Sequence, residues 1–156
     1  MQLSTRGRYA VMAMVELAGR DGGVPVTLAD IAGCQQLSLS YLEQLFGGLR
    51  RAGLVPSARG PAGGYRLARP AATISIADII LGADEPIRAT RCVTGDVGCQ
   101  RGPQGGQQPC HTHDLWAELG RQIDVFLTAV TLADVIEGRV KGRAFGGPGG
   151  GPGGGA

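Results

Sequence analysis

Apolar side chains recur at helical spacing at the start of the chain, with Tyr9, Ala13, Met14 and Leu17 sharing one face between Ser4 and Ala18. At 3.6 residues per turn these positions stack above one another, which predicts a first helix ended by Gly19 and the Gly22-Gly23 pair. Leu28, Ile31 and Ala32 form a shorter pattern behind Thr27, a suitable N-cap, and Asp30 places a carboxylate near the positive end of that second helix. A third pattern contains Tyr41, Leu42, Leu45, Phe46 and Leu49, opens at Ser38 or Ser40 and stops at Gly53. Two short helices joined by a tight turn around Gln36 and Leu37 have the outline of a helix-turn-helix.

The period then changes. Leu54 to Ala58 and Tyr65 to Ala68 read as two short strands, and the intervening RGPAGG, Arg59 to Gly64, reads as a hairpin tip with arginine at its base. A hairpin directly after a helix-turn-helix is a wing. Ser75 to Gly82 predicts a further helix packed back on this unit, after which periodicity vanishes from Asp84 to His111. Thr112 is a candidate cap for a long helix bearing Leu115, Trp116, Leu119, Ile123, Phe126, Leu127 and Val130, continued by a second segment with Leu132, Val135 and Ile136. That apolar stripe is wide for so small a chain, so part of it is expected to pair with the same helix of a second copy. The competing expectation is that it packs wholly within one chain.

The expected fold class is mainly α with a small β-hairpin wing (α+β). It comprises a winged helix-turn-helix domain over 1–83, a ligand loop over 84–113, a dimerisation helix over 114–141 and a disordered glycine-proline tail over 142–156.

Composition narrows the class. Of 156 residues, 43% are hydrophobic and only 4% aromatic, which implies an aliphatic core and one globular domain with an appendage. Residues 1–70 carry a formal charge of +4 and the remainder −2, so the basic face that could meet a polyanion lies on the helix-turn-helix half. The first residues lack the apolar core and cleavage site of a secretory signal, and no run of 18 apolar residues occurs. A cytoplasmic protein without a membrane partner is expected. Thiols stay reduced there, so three cysteines gathered between positions 92 and 110 favour a metal site over disulfides.

Two groups of candidate site residues follow. On the third helix and its surroundings, Ser38, Ser40, Tyr41, Glu43 and Gln44 lie near the end that would meet base edges in a major groove of double-stranded DNA. Gln44 suits adenine and Glu43 the amino group of cytosine. Arg59, beside Gly60 at the wing tip, suits a narrow minor groove, whereas Arg6, Arg8, Arg50 and Arg51 would hold phosphates. The second group, Cys92, Cys99, Cys110 and His113, is spaced C-x6-C-x10-C-x2-H and lacks the paired knuckles of common structural zinc modules. Spacing by itself leaves an iron-sulfur cluster, zinc or redox-active free thiols open. His113 is preferred to His111 because Cys110 and His113, three residues apart at a helix mouth, can converge on one side. Cys34 reads as a small buried or partly buried side chain.

Long stretches of the chain resemble the IscR family, bacterial winged-helix regulators of iron-sulfur cluster assembly. They are LSTRGRYAVMAM, VPVTLADIA, SLSYLEQLF, GLVPSARGPAGGYRL, IRATRC and CHTHDLW, which span nearly the whole expected folded portion. The resemblance implies a homodimeric DNA-binding repressor, not an enzyme, that holds a [2Fe-2S] cluster through three cysteines and a histidine. By position the ligands fall on Cys92, Cys99, Cys110 and His113. It further implies that the cluster is supplied by the iron-sulfur assembly machinery and that the regulated genes encode cluster assembly. The chain differs from the family pattern in a longer stretch between Cys99 and Cys110, in Ala62 at a wing glycine, and in its glycine-proline tail. Competing readings are a related winged-helix sensor of nitric oxide or redox state with another cluster or zinc, and, more remotely, a cluster carrier or thiol redox enzyme using Cys110 and His113.

Overall fold

The computed structural model describes residues 5–20, 22, 24–60, 63–85 and 111–142. Helix α1, Thr5–Gly19, turns Gly7, Ala10, Ala13, Met14 and Leu17 inward, the three- and four-residue steps of an amphipathic helix. Helix α2, Leu28–Gln35, is capped by Thr27, whose hydroxyl accepts the Asp30 N–H at 3.2 Å. It ends at Gln36 in the left-handed region, φ 52°. Helix α3, Leu39–Arg51, opens at Ser38, whose hydroxyl accepts the Tyr41 N–H at 3.3 Å, so Ser38 and not Ser40 is the cap. Leu42, Leu45, Phe46 and Leu49 are fully buried along its inner face.

The wing is shorter than its sequence pattern predicts. Strands β1, Ser57–Ala58, and β2, Gly64–Tyr65, pair antiparallel with Ser57 opposite Tyr65 and Ala58 opposite Gly64. Leu54 and Val55 leave the ladder to enter the core, and Pro56 has no N–H to give it. The two segments still run side by side, joined by Arg66 N–H to Pro56 O and Ala68 N–H to Leu54 O. Val26, in the link before α2, exchanges backbone hydrogen bonds of 2.8 Å each way with Tyr65 and fixes the wing root, a contact absent from the expected elements.

After a 3-10 turn at Ala71–Thr73, helix α4, Ile76–Gly82, begins with a complete capping box between Ser75 and Asp78. Helix α5, His113–Ala129, and helix α6, Leu132–Ile136, occupy the segment expected as the dimerisation helix. They are divided because Val130 and Thr131 turn extended. Ile76 N–H donates to Val130 O at 2.9 Å, Leu132 N–H donates to Ile74 O at 2.8 Å, and Thr131 starts α6 with its own capping box to Asp134. Thr112 stands at the start of α5 without capping it, since its backbone (φ −103°, ψ 6°) lies outside the extended region a cap needs; its hydroxyl accepts the Trp116 indole N–H at 3.2 Å.

One core joins these parts. Ile74, Ile79 and Ile80 meet the inner faces of α1 and α3, and Leu127, Val130 and Leu132 close it from the C-terminal side. Packing therefore crosses the boundary expected after residue 83, and the end of α5 with α6 belongs to the body of the winged domain. No described helix is long and apolar enough to cross a membrane.

Candidate nucleic-acid interface

Helix α3 is positioned by its buried leucines and by two aromatic contacts. Phe46 tilts against Tyr65 of β2 with ring centroids 4.8 Å apart, tying the helix to the wing. Tyr41 meets Tyr9 of α1 edge-on at 6.0 Å, tying its N-terminal turn to the first helix. With its inner side fixed, α3 leaves Ser38, Ser40, Glu43, Gln44 and Arg50 exposed and Tyr41 half-buried. Hydroxyls, an amide and a carboxylate thus gather at the first two turns. These groups suit hydrogen bonding to base edges, and the helix's N-terminal N–H groups favour phosphate.

At the wing, Arg59 and Gly60 are both exposed. Gly60 has φ +107°, a backbone state that side chains strongly disfavour, which explains glycine beside the arginine at this tip. Arg8 is exposed on the first turns of α1.

Two of the expected phosphate contacts have partners inside the molecule. Arg51 Nη2 donates to Asp84 Oδ2 at 2.9 Å, and Arg6 Nη2 lies 3.9 Å from the same oxygen. Asp84 takes the left-handed conformation, φ 59°, and the next residue, Glu85, accepts the Gly7 N–H at 2.9 Å. A phosphate approaching Arg6 or Arg51 must compete with Asp84. Nothing in the sequence pattern announces this arrangement, because it joins positions 33 and 78 residues apart. A second feature absent from the sequence reading is Leu39, in the first turn of α3, which is 45% exposed although its neighbour at the next turn inward, Leu42, is fully buried.

Of the expected ligands, Cys92, Cys99 and Cys110 lie outside the described residues. His113 is the first residue of α5 and half-buried, while His111 is exposed. Among the described residues no three metal-ligating side chains come together. Cys34 differs from expectation. It is exposed, in the last turn of α2 beyond buried Leu28 and Ile31, and its sulfur accepts a 2.8 Å hydrogen bond from Arg20.

The model of the Rrf2 family, described as iron-dependent transcriptional regulators, matches residues 3–138. The HTH-type transcriptional regulator IscR of Yersinia pseudotuberculosis is 48% identical over 139 residues, covering 89% of this chain and 81% of the relative. Among solved structures, IscR of T. potens aligns with a TM-score of 0.70 at 35% identity, covering 94% of each chain. CymR, the global cysteine regulator of B. subtilis, aligns with a TM-score of 0.70 at 34% identity over 88% of this chain and 97% of its own.

Proposed function

This chain belongs to the Rrf2 family of transcriptional regulators, and from that premise we propose that it is a homodimeric DNA-binding repressor of iron-sulfur cluster assembly genes that senses a bound [2Fe-2S] cluster. The observation that carries the DNA reading is the polar N-terminal end of α3 beside an arginine-tipped wing, both fixed to one core. Ser40, Glu43 and Gln44 would meet base edges in a major groove, and Ser38 and Tyr41 the adjoining backbone. Arg59 would enter the minor groove, with Gly60 permitting close approach. Arg8 and Arg50 would hold phosphates, and Arg6 and Arg51 would do so on release from Asp84.

The cluster would be held by Cys92, Cys99, Cys110 and His113 and supplied by the iron-sulfur assembly machinery. The donor set fits it: three thiolates and an imidazole are iron-sulfur ligands, and His113 stands at the N-terminus of a 17-residue helix, whose positive end favours a negatively charged group. When bound, such a cluster supplies a redox- and supply-sensitive state, and a neutral imidazole makes it easier to lose than four thiolates would. On the protein side, His113 begins the helix whose far end, Leu127 and Val130, enters the core shared with α3. Ligand-dependent movement of α5 therefore has a packed route to the reading head.

Self-association rests on α5. Leu115 is 62% and Trp116 37% exposed, and Leu127 alone among its described residues is buried. A second copy of the same stripe is the natural cover.

Anaerobic purification followed by visible absorption, iron and sulfide analysis and promoter binding tests the proposal. A brown protein with two irons and two sulfides per chain, lost in Cys92→Ala together with altered DNA binding, is the expected result. A colourless protein holding zinc would remove cluster sensing and leave DNA binding in place. The likeness to CymR favours a second reading, a winged-helix sensor of another redox signal, because it shows the same fold serving a cysteine regulator. Cluster type by spectroscopy separates the two.

A further inference from the structure

We propose that Leu39 reads thymine, by burying its side chain against the 5-methyl group in the major groove; this deepens the DNA-binding reading above and rests on it. Among the described residues six large apolar side chains are exposed, and Leu39 is the one that lies on α3. Three of the others, Leu115, Trp116 and Ile136, belong to α5 and α6. Leu39 is 45% exposed and directly follows the cap Ser38.

Its place on the helix gives that exposure a direction. The Cα–Cβ bonds of an α-helix tilt toward its N-terminus, so a side chain in the first helical position projects forward past the helix end. A helix entering a groove by its N-terminus presents that side chain to the base edges. Leu39 sits between the hydroxyls of Ser38 and Ser40 and one turn before Glu43, so an apolar surface is framed by hydrogen-bonding groups. In the major groove thymine alone displays a methyl group, which lies beside the O4 acceptor of the same base. Exposed Arg8 on α1, Arg50 at the far end of α3 and Arg59 on the wing give this half of the molecule charge that matches a phosphate backbone.

The test uses the full chain. A binding site is selected from a random duplex pool, each of its thymines is replaced singly by deoxyuridine, which lacks only the methyl, and affinity is measured by fluorescence anisotropy. The wild type should lose about four-fold in Kd at one thymine position of each half-site, the size expected for one methyl-sized apolar group. Leu39→Ala should weaken binding to the thymine site and bind thymine and deoxyuridine equally there, while Leu39→Met restores the preference. The thermal midpoint of Leu39→Ala should stay near that of the wild type, since the side chain is half outside the core. If a sequence is enriched but no thymine shows methyl sensitivity, or Leu39→Ala retains the wild-type sensitivity, Leu39 does not read thymine and DNA binding stands. If the full chain enriches no sequence at all, the DNA-binding reading falls and this one with it.

Discussion

Helices α3 and α5 are both amphipathic, yet they meet opposite fates in the folded chain. Over 13 residues α3 buries Leu42, Leu45, Phe46, Gly48 and Leu49. Over 17 residues α5 buries Leu127. The difference lies in what each finds to cover it. Helix α3 is enclosed by α1, α2, α4 and the wing, so its apolar side is spent on the fold and its polar side is free for a ligand. Helix α5 meets the core through its C-terminal half, where Ile123 and Phe126 pack beside Leu127, and keeps Leu115 and Trp116 exposed. Buried periodicity thus marks a scaffold, and exposed periodicity marks a surface that has its partner elsewhere.

The largest effect should come from breaking the α3 side. Phe46→Ala removes a fully buried ring that also packs on Tyr65, and should cost about 3–5 kcal/mol, much of a small domain's stability, in denaturant unfolding. On α5 the same kind of insult should act between molecules. Leu115→Glu should weaken self-association at least ten-fold, about 1.4 kcal/mol, by sedimentation, while the monomer keeps its circular dichroism spectrum. Loss of folding instead would mean that this stripe is needed inside one chain.

Smaller changes sharpen the contrast. Ser38→Ala removes the cap that accepts the Tyr41 N–H and should cost about 1 kcal/mol in thermal unfolding. Arg50→Ala should reduce the slope of log affinity against log salt by about 0.9, the signature of one phosphate-neutralising cation; Arg51→Ala, whose cation already faces Asp84, should reduce it less. Losing that exposed ion pair should change stability by no more than about 1 kcal/mol.

The smallest effect belongs to pH on α5. Hydrogen bonds from Arg121 and then Gln122 hold the Glu118 carboxyl down to about 2 from its ordinary 4.5. A carboxyl lowered in the folded state stabilises above its unfolded value, and that contribution disappears as pH falls from 4.5 toward 2. Far-UV circular dichroism should show a slight loss of helix in that window for the wild type and none attributable to this site in Glu118→Gln. The group is exposed, so the change should be small and salt-sensitive.

Much of this architecture was legible in residue order. Helical periodicity placed α1 to α4, Thr27 announced the cap of α2, the cap of α3 was narrowed to Ser38 or Ser40, and the glycine-rich tip between two apolar runs announced the wing. These features are local, settled by hydrogen bonds and dihedral preferences within a few residues, so sequence by itself determined them. Distant contacts were decided by tertiary structure alone. The break at Val130 and Thr131 follows from backbone pairing with Ile74 to Ile76, the short ladder from burial of Leu54 and Val55, and the occupation of Arg6 and Arg51 from where α4 delivers Asp84. Each depends on packing that brings remote residues together, and periodicity, which records only which side of an element is apolar, carries no information about what lies on the other side of the contact.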